Sequence, residues 1–340
     1  MPNRTVVHDI HAHVFSGRVE AVVADEPGRL AELRRLAAYQ GEASVATNLG
    51  MLQDIQPALT LDGRLAHMDA HGIDVQVVSL SPSQYYEWAE PEVAEAIATA
   101  ACEDLAELVA AAPARLRALG TVALQHPKLA ADQLRVAVEE HGLDGVMIPT
   151  AAGGRELSHP DLDVVWSAAE SVGAAVFIHP WICSLGERID QWYLANVVGN
   201  LTETSVALSH LIFGGVLDQH PRLRVCGAHG GGYLPPAIGR SDHSWAVRPE
   251  SRSCADPPSS YLRRLWYDTV VHDPVALRQL IDRVGADRVL LGSDYPFDMG
   301  DDDPLGALDA TPGLTDAERQ AITSANVEAF LGARRSTGEG

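Results

Sequence analysis

The chain has 340 residues, 46% of them hydrophobic and 21% charged, enough to bury the core of one large barrel or of two average domains. Its 25 basic residues stand against 46 acidic ones, and the formal charge of -21 repels phosphate backbones and anionic membrane surfaces, so neither nucleic acid nor a membrane is an expected partner. Lys128 is the one lysine, which leaves almost no candidate for Schiff-base chemistry, and Cys102, Cys183, Cys226 and Cys254 form no CxxC pair or disulfide framework, so a reducing cytoplasm is the expected location.

From the N-terminus, short apolar, β-branched runs alternate with longer segments of helical spacing, the alternation that builds parallel sheets. The runs lie at residues 6–13, 75–80, 116–123, 145–148, 175–179, 223–229, 265–270 and 289–294. Eight strand-helix units predict an α/β fold of the (β/α)8 TIM-barrel type, a single domain over residues 1–340, with a doubly wound sheet as the other solution the pattern allows. Between the runs, Val93, Ile97, Ala101, Leu105 and Leu108 mark one apolar helix face after Pro91-Glu92. Directly after the first run, residues of about 15–62 break the alternation, and so long an insertion at that place is expected to form a lid.

The same chain order brings out the residues that could carry chemistry. Side chains two apart on a strand share a face, so Asp9, His11 and His13 of the first run point one way and the two imidazoles converge. Taken alone, this HxH is either a metal-binding pair or two barrel-interior histidines satisfied by neighbouring backbone groups. His179 ends the fifth run and Asp294 the eighth, at the strand ends where barrel enzymes build their sites. Three imidazoles and a carboxylate form an N3O set suited to one zinc ion, the alternative being a buried polar cluster. His229 ends the sixth run before three glycines, as a general base or as a histidine packed on a glycine turn. The fourth run offers no lysine or carboxylate to bridge a second metal.

The HxH, His-Pro-Trp at 179–181, His-Gly-Gly-Gly at 229–232, Gly-Ser-Asp-Tyr-Pro-Phe at 292–297 and the segment 67–77 together resemble the amidohydrolase-2 branch of the amidohydrolase superfamily, typified by 2-amino-3-carboxymuconate-6-semialdehyde decarboxylase. The similarity runs from about residue 6 to about residue 330. It implies zinc on His11, His13, His179 and Asp294, with His229 activating the zinc water or moving the catalytic proton, paired with Asp294. It also implies that Trp192 and Phe297 line the substrate pocket and that Arg240 reaches a substrate carboxylate in the neighbouring subunit of a homodimer. In one respect the chain departs from the pattern: residues 41–63 hold neither arginine nor lysine, and Leu52 stands about where the decarboxylase has an arginine. Tyr85, Tyr86 and Trp88 after the second run stack on substrate or pack their loop.

The expected function is nonoxidative decarboxylation of a small unsaturated or aromatic carboxylic acid. Hydrolysis of a carbon-carbon, ester or amide bond by the same residues is the rival, and a metal-stabilised binding protein a third reading, because fold does not fix function.

Overall fold

Eight short strands, each nearly or wholly buried, form one parallel ring in the computed structural model, which describes residues 5–333. They are β1 (His8–Val14), β2 (Val75–Leu80), β3 (Leu116–Gly120), β4 (Gly145–Ile148), β5 (Ala175–Ile178), β6 (Arg224–Gly227), β7 (Trp266–Asp268) and β8 (Val289–Leu290), hydrogen-bonded in that order. The last strand returns to the first: Ile10 N–H donates to Leu291 O (2.8 Å), His13 N–H to Tyr295 O (2.7 Å) and Asp294 N–H to His11 O (2.8 Å). That closure makes the fold a TIM barrel and removes the doubly wound sheet. Strands β7 and β8 are shorter than their apolar runs because the chain leaves the regular ladder early, and Asp294 turns with a φ of 59°.

Alternate residues fill the interior of the ring. Ile10, Val77, Leu119, Met147 and Phe177 form one buried cluster, so the barrel is plugged below its C-terminal face rather than open as a pore. Residues of the other parity face outward to the helices. Of the stripe read from its spacing, helix Pro91–Ala111 buries Ile97, Ala101 and Leu105, while Val93 and Leu108 at its ends are half-buried; Pro127–Glu139 buries Ala130, Leu134 and Ala137.

The insertion after β1 is helical. It contains α1 (Gly17–Val23), α2 (Pro27–Gln40) and α3 (Glu42–Asp54), and leads into α4 (Leu61–Ala70), which packs back on the barrel. Gly41 joins α2 to α3 with a φ of 80°, and a Cβ there would lie 1.9 Å from Asp190 O, so glycine alone permits this corner. Tyr39 O–H donates to Ala195 O (3.3 Å), a second tie between the insertion and the loop after β5.

Arg64 of α4 anchors the far end of the insertion. It is 1% exposed, donates to Gln76 Oε1 and to His13 O (2.6 Å each), and lies 4.9 Å from the centre of the Tyr295 ring. Burial lowers its pKa to about 10. Replacing this guanidinium leaves the His13 carbonyl and the Gln76 amide without their donors in a dry place, so Arg64→Leu is expected to cost about 1–3 kcal/mol per orphaned group. Thermal denaturation of the variant against the parent reads this directly, and an unchanged Tm would remove Arg64 from its anchoring role.

Candidate active site

Strand ends bring together the four residues that the HxH and the two C-terminal positions suggest. The ligand atoms of His11, His13, His179 and Asp294 all lie within 4.8 Å of one another, and all four residues are buried. His11 Nε2 and His13 Nε2 are 3.0 Å apart, with Asp294 Oδ1 at 3.3 Å and 3.0 Å from them. His179 Nε2 and Asp294 Oδ1 are buried and make no hydrogen bond.

The far side of each ring fixes which nitrogen holds a lone pair. His11 Nδ1 donates to Asp268 Oδ2 (2.7 Å), and His179 Nδ1 donates to Pro180 O (2.7 Å). His13 Nδ1 faces Ser79 Oγ at 3.3 Å, whose own hydroxyl donates to Ala12 O (3.2 Å). With the Nδ1 positions committed, the Nε2 lone pairs converge on one point beside a carboxylate oxygen, an arrangement that repels itself and that a divalent cation relieves. The residues therefore fit a metal ion, which His11, His13, His179 and Asp294 would hold.

Charge in this cluster follows from burial and proximity. Burial disfavours charge on Asp294, yet the histidines His11, His13 and His229 hold its pKa well below the usual carboxylate range. Burial, then repulsion by His13, His229 and His11, pushes His179 well below its usual value. His11 is raised despite burial, because Asp294, Asp268 and Asp9 surround it. The floor of the barrel mouth is thus built for a positive charge.

The sequence pattern does not single out Asp268, which ends β7. It is 0% exposed and accepts from four donors: His11 Nδ1–H (2.7 Å) and the backbone N–H groups of His229 (3.0 Å), Gly230 (2.8 Å) and Val270 (3.2 Å). One carboxylate therefore orients a ligand histidine and clamps the turn that carries His229. Asp9, the third residue of the shared β1 face, sits beneath the cluster and accepts from Ser293 Oγ–H (2.5 Å) and Gln76 Nε2–H (2.8 Å). It supports the strands and does not reach the ligand group.

His229 sits on the turn after β6 with a φ of 57°, in the left-handed region that non-glycine residues seldom occupy. Its Nε2 is 3.4 Å from Asp294 Oδ2, and its Nδ1 is buried without a partner. The ring lines an outer cavity of about 680 Å³, floored by Asp294 and walled by Asn196, Asn200, Tyr233 and Val271. An inner chamber of about 120 Å³ shares Asn196, Asn200, Asp294 and Met299 with it and lies under the insertion.

Phe297 lines the inner chamber, with Leu52 and Met51 of α3 opposite. Trp192 does not: it is 82% exposed, and the left-handed backbone at both Trp192 (φ 54°) and Tyr193 (φ 60°) turns Tyr193 into the lining instead. Arg240, on the helix Leu234–Val247, is exposed and makes no hydrogen bond or ion pair among the described residues, and it lines neither cavity of its own protomer. Tyr85 and Tyr86 are buried in their loop, and Trp88 Nε1–H donates to Glu32 of the insertion (3.0 Å), so these aromatics pack the loop and stay out of the chamber.

Two outcomes test this geometry. Elemental analysis of the purified protein should give about one divalent ion per chain, since four ligands complete one site. Asp268→Asn keeps the shape but no longer accepts the His11 proton in a fixed tautomer, and chelator competition should show metal affinity weakened by about 10–100-fold. Parent-like affinity would mean that Asp268 does not orient His11.

Comparison with known proteins agrees over nearly the whole chain. The Amidohydro_2 family model, described as amidohydrolase, matches residues 8–333. The chain is 34% identical over 273 residues to the 2-amino-3-carboxymuconate-6-semialdehyde decarboxylase of Dictyostelium discoideum, covering 80% of this chain and 76% of that protein. To the gamma-resorcylate decarboxylase of Rhodococcus jostii it is 30% identical over 264 residues, covering 73% and 79%. The crystal structure of 2,6-dihydroxybenzoate decarboxylase from Rhizobium superposes with a TM-score of 0.79 at 25% identity, over 96% of this chain and 98% of that one. A barrel whose first, fifth and eighth strand ends converge on one ligand cluster, matched along its length by that model, belongs to the Amidohydro_2 family of amidohydrolases.

Proposed function

We propose that this protein is a zinc-dependent nonoxidative decarboxylase of a small aromatic or unsaturated carboxylic acid, working as a homodimer. The observation that carries the proposal is the convergence of three histidine lone pairs and Asp294 at the floor of a cavity whose wall presents His229. An N3O donor set suits zinc. Relatives that are decarboxylases, matched over most of the chain, favour carbon dioxide release over hydrolysis.

Loss of carbon dioxide leaves the electron pair of the broken carbon-carbon bond on the substrate carbon, which then takes a proton. A zinc ion held by His11, His13, His179 and Asp294 would supply Lewis-acid stabilisation of the negative charge that develops. His229 faces the cavity and is placed to hand over the proton, while Asp294, 3.4 Å away, orients its Nε2. Phe297 and the chamber walls exclude water from the carbon that is to be protonated by one defined group.

Arg240 completes the proposal. It makes no side-chain bond among the described residues and follows Tyr233 and Pro236 on a surface helix, two residues that line the outer cavity together with the exposed Val197 (47%). A second copy covering that apolar rim would bring Arg240 to the partner's cavity, where its planar fork pairs with a carboxylate. Among the described residues no helix is long and apolar enough to cross a membrane.

Turnover should release carbon dioxide one-for-one with substrate, and mass spectrometry of products from a panel of aromatic acids and ring-cleavage products distinguishes this from two hydrolytic fragments, which would overturn the assignment. His229→Ala should keep its metal and lose about 100- to 10,000-fold in kcat. Arg240→Ala should raise the barrier by about 2–5 kcal/mol, the range for truncating one member of a buried charge pair.

A further inference from the structure

The inner chamber differs in charge from what an acid-binding site ordinarily shows. Among the described residues no lysine or arginine lines it; its acidic walls are Asp298 and the ligand Asp294, and the one imidazole among them is that of the ligand His179. The basic groups other than that ligand lie outside: Arg283 and His272 belong to the outer cavity only. Arg64, the first arginine after the insertion, is turned into the barrel wall and bound to His13 O and Gln76 Oε1. The chain's formal charge of -21 sets the wider field in the same sense.

Neutral amides take the place of cations. Asn196 and Asn200 are four residues apart on one helical segment, both line the chamber, and their side chains make no hydrogen bond among the described residues. Across from them, Asn48 Nδ2–H donates to Gln40 Oε1 (3.1 Å), which orders the pair and leaves the Asn48 carbonyl and the Gln40 amide N–H groups for a ligand. Leu52 adds an apolar wall beside them.

We infer that the substrate carries a single carboxylate, the one that leaves, on an aromatic or conjugated frame whose other substituents are uncharged hydrogen-bonding groups such as hydroxyls. This rests on the decarboxylase reading for the fate of the carboxylate, and on the chamber lining for the rest. The one carboxylate is the group that the metal site and Arg240 would meet; a second on the frame would enter the chamber beside Asp298 and Asp294, where no lysine or arginine of the same protomer lines the wall. A hydroxyl meets amides able both to donate to it and to accept from it.

Two measurements on the metal-loaded full chain test the inference. In turnover, hydroxybenzoates with one carboxylate should exceed the same rings bearing a second carboxylate by about a hundredfold in kcat/KM, the scale of an unmatched like-charge contact. In calorimetric binding without turnover, nitrophenols with a nitro group in place of the leaving carboxylate should bind more tightly than the same compounds with an added ring carboxylate. Leu52→Arg should narrow both ratios by about tenfold or more, because it brings a cation into the chamber. Equal or better use of dicarboxylates by the parent protein overturns the inference and leaves decarboxylation intact. If no acid releases carbon dioxide while the nitrophenols still show the preference, the decarboxylase reading fails and the charge selection of the chamber stands. An absence of preference in binding overturns the inference whatever the reaction is.

Discussion

Much of this site hangs on one buried carboxylate that is not itself among the four ligand residues and lines neither cavity. Asp268 is fully enclosed with no arginine or lysine against it, and it is held as an anion by four N–H donors, one from His11 and three from the backbone of two loops. Burial alone would raise its pKa; the hydrogen bond and electrostatic attraction of His11, with the nearby His229 ring and the Gly230 N–H, bring it below the usual value. The same contacts do two jobs. They set the His11 tautomer so that Nε2 is a lone pair, and they hold the His229 turn in a backbone region it would not otherwise favour. The metal-site histidine and His229 are thereby fixed relative to each other by a single group.

The barrel was legible in the chain because each strand is a short apolar run and each helix shows its own period, so eight alternations could be counted. The ligands were legible for a related reason: His11, His13, His179 and Asp294 are polar residues at the ends of runs that otherwise bury apolar side chains. Asp268 stands in the same position at the end of β7 and carries the same signal. It lacks a partner residue at fixed spacing, and its donors lie 38 residues back in the chain or farther, apart from the local Val270 N–H, so nothing nearby marks it. Trp192 shows the opposite difficulty. Whether a loop aromatic faces in or out is set by backbone dihedrals, and here successive residues with positive φ direct Tyr193 inward and leave Trp192 in solvent.

The insertion could be located from the break in alternation but not oriented. Its orientation comes from specific long-range contacts: the Gly41 corner against Asp190, Tyr39 to Ala195, and Arg64 against the β1–β2 edge. These hold α3 so that Asn48, Met51 and Leu52 become a wall of the inner chamber. A segment with no ligand residue of its own thus shapes the chamber. Strand ends carry the ligand residues and the insertion supplies one wall of the space beside them.

Asp294 shows why the two levels cannot be separated further. Its backbone N–H bonds to His11 O, one of the links that close the barrel between β8 and β1, while its side chain sends Oδ1 toward His11 and His13 and Oδ2 toward His229. Two residues earlier, a Cβ on Gly292 would come within 3.0 Å of the His11 Cβ and 3.1 Å of the Asp268 Cβ, so this stretch approaches the neighbouring strands as closely as packing permits. Any slip in the pairing of β8 with β1 would carry Asp294 away from the imidazoles and from His229 together. Closure of the ring is therefore also assembly of the site, and the residues that complete the fold are those that bring the Asp294 carboxylate and the His229 ring to one point.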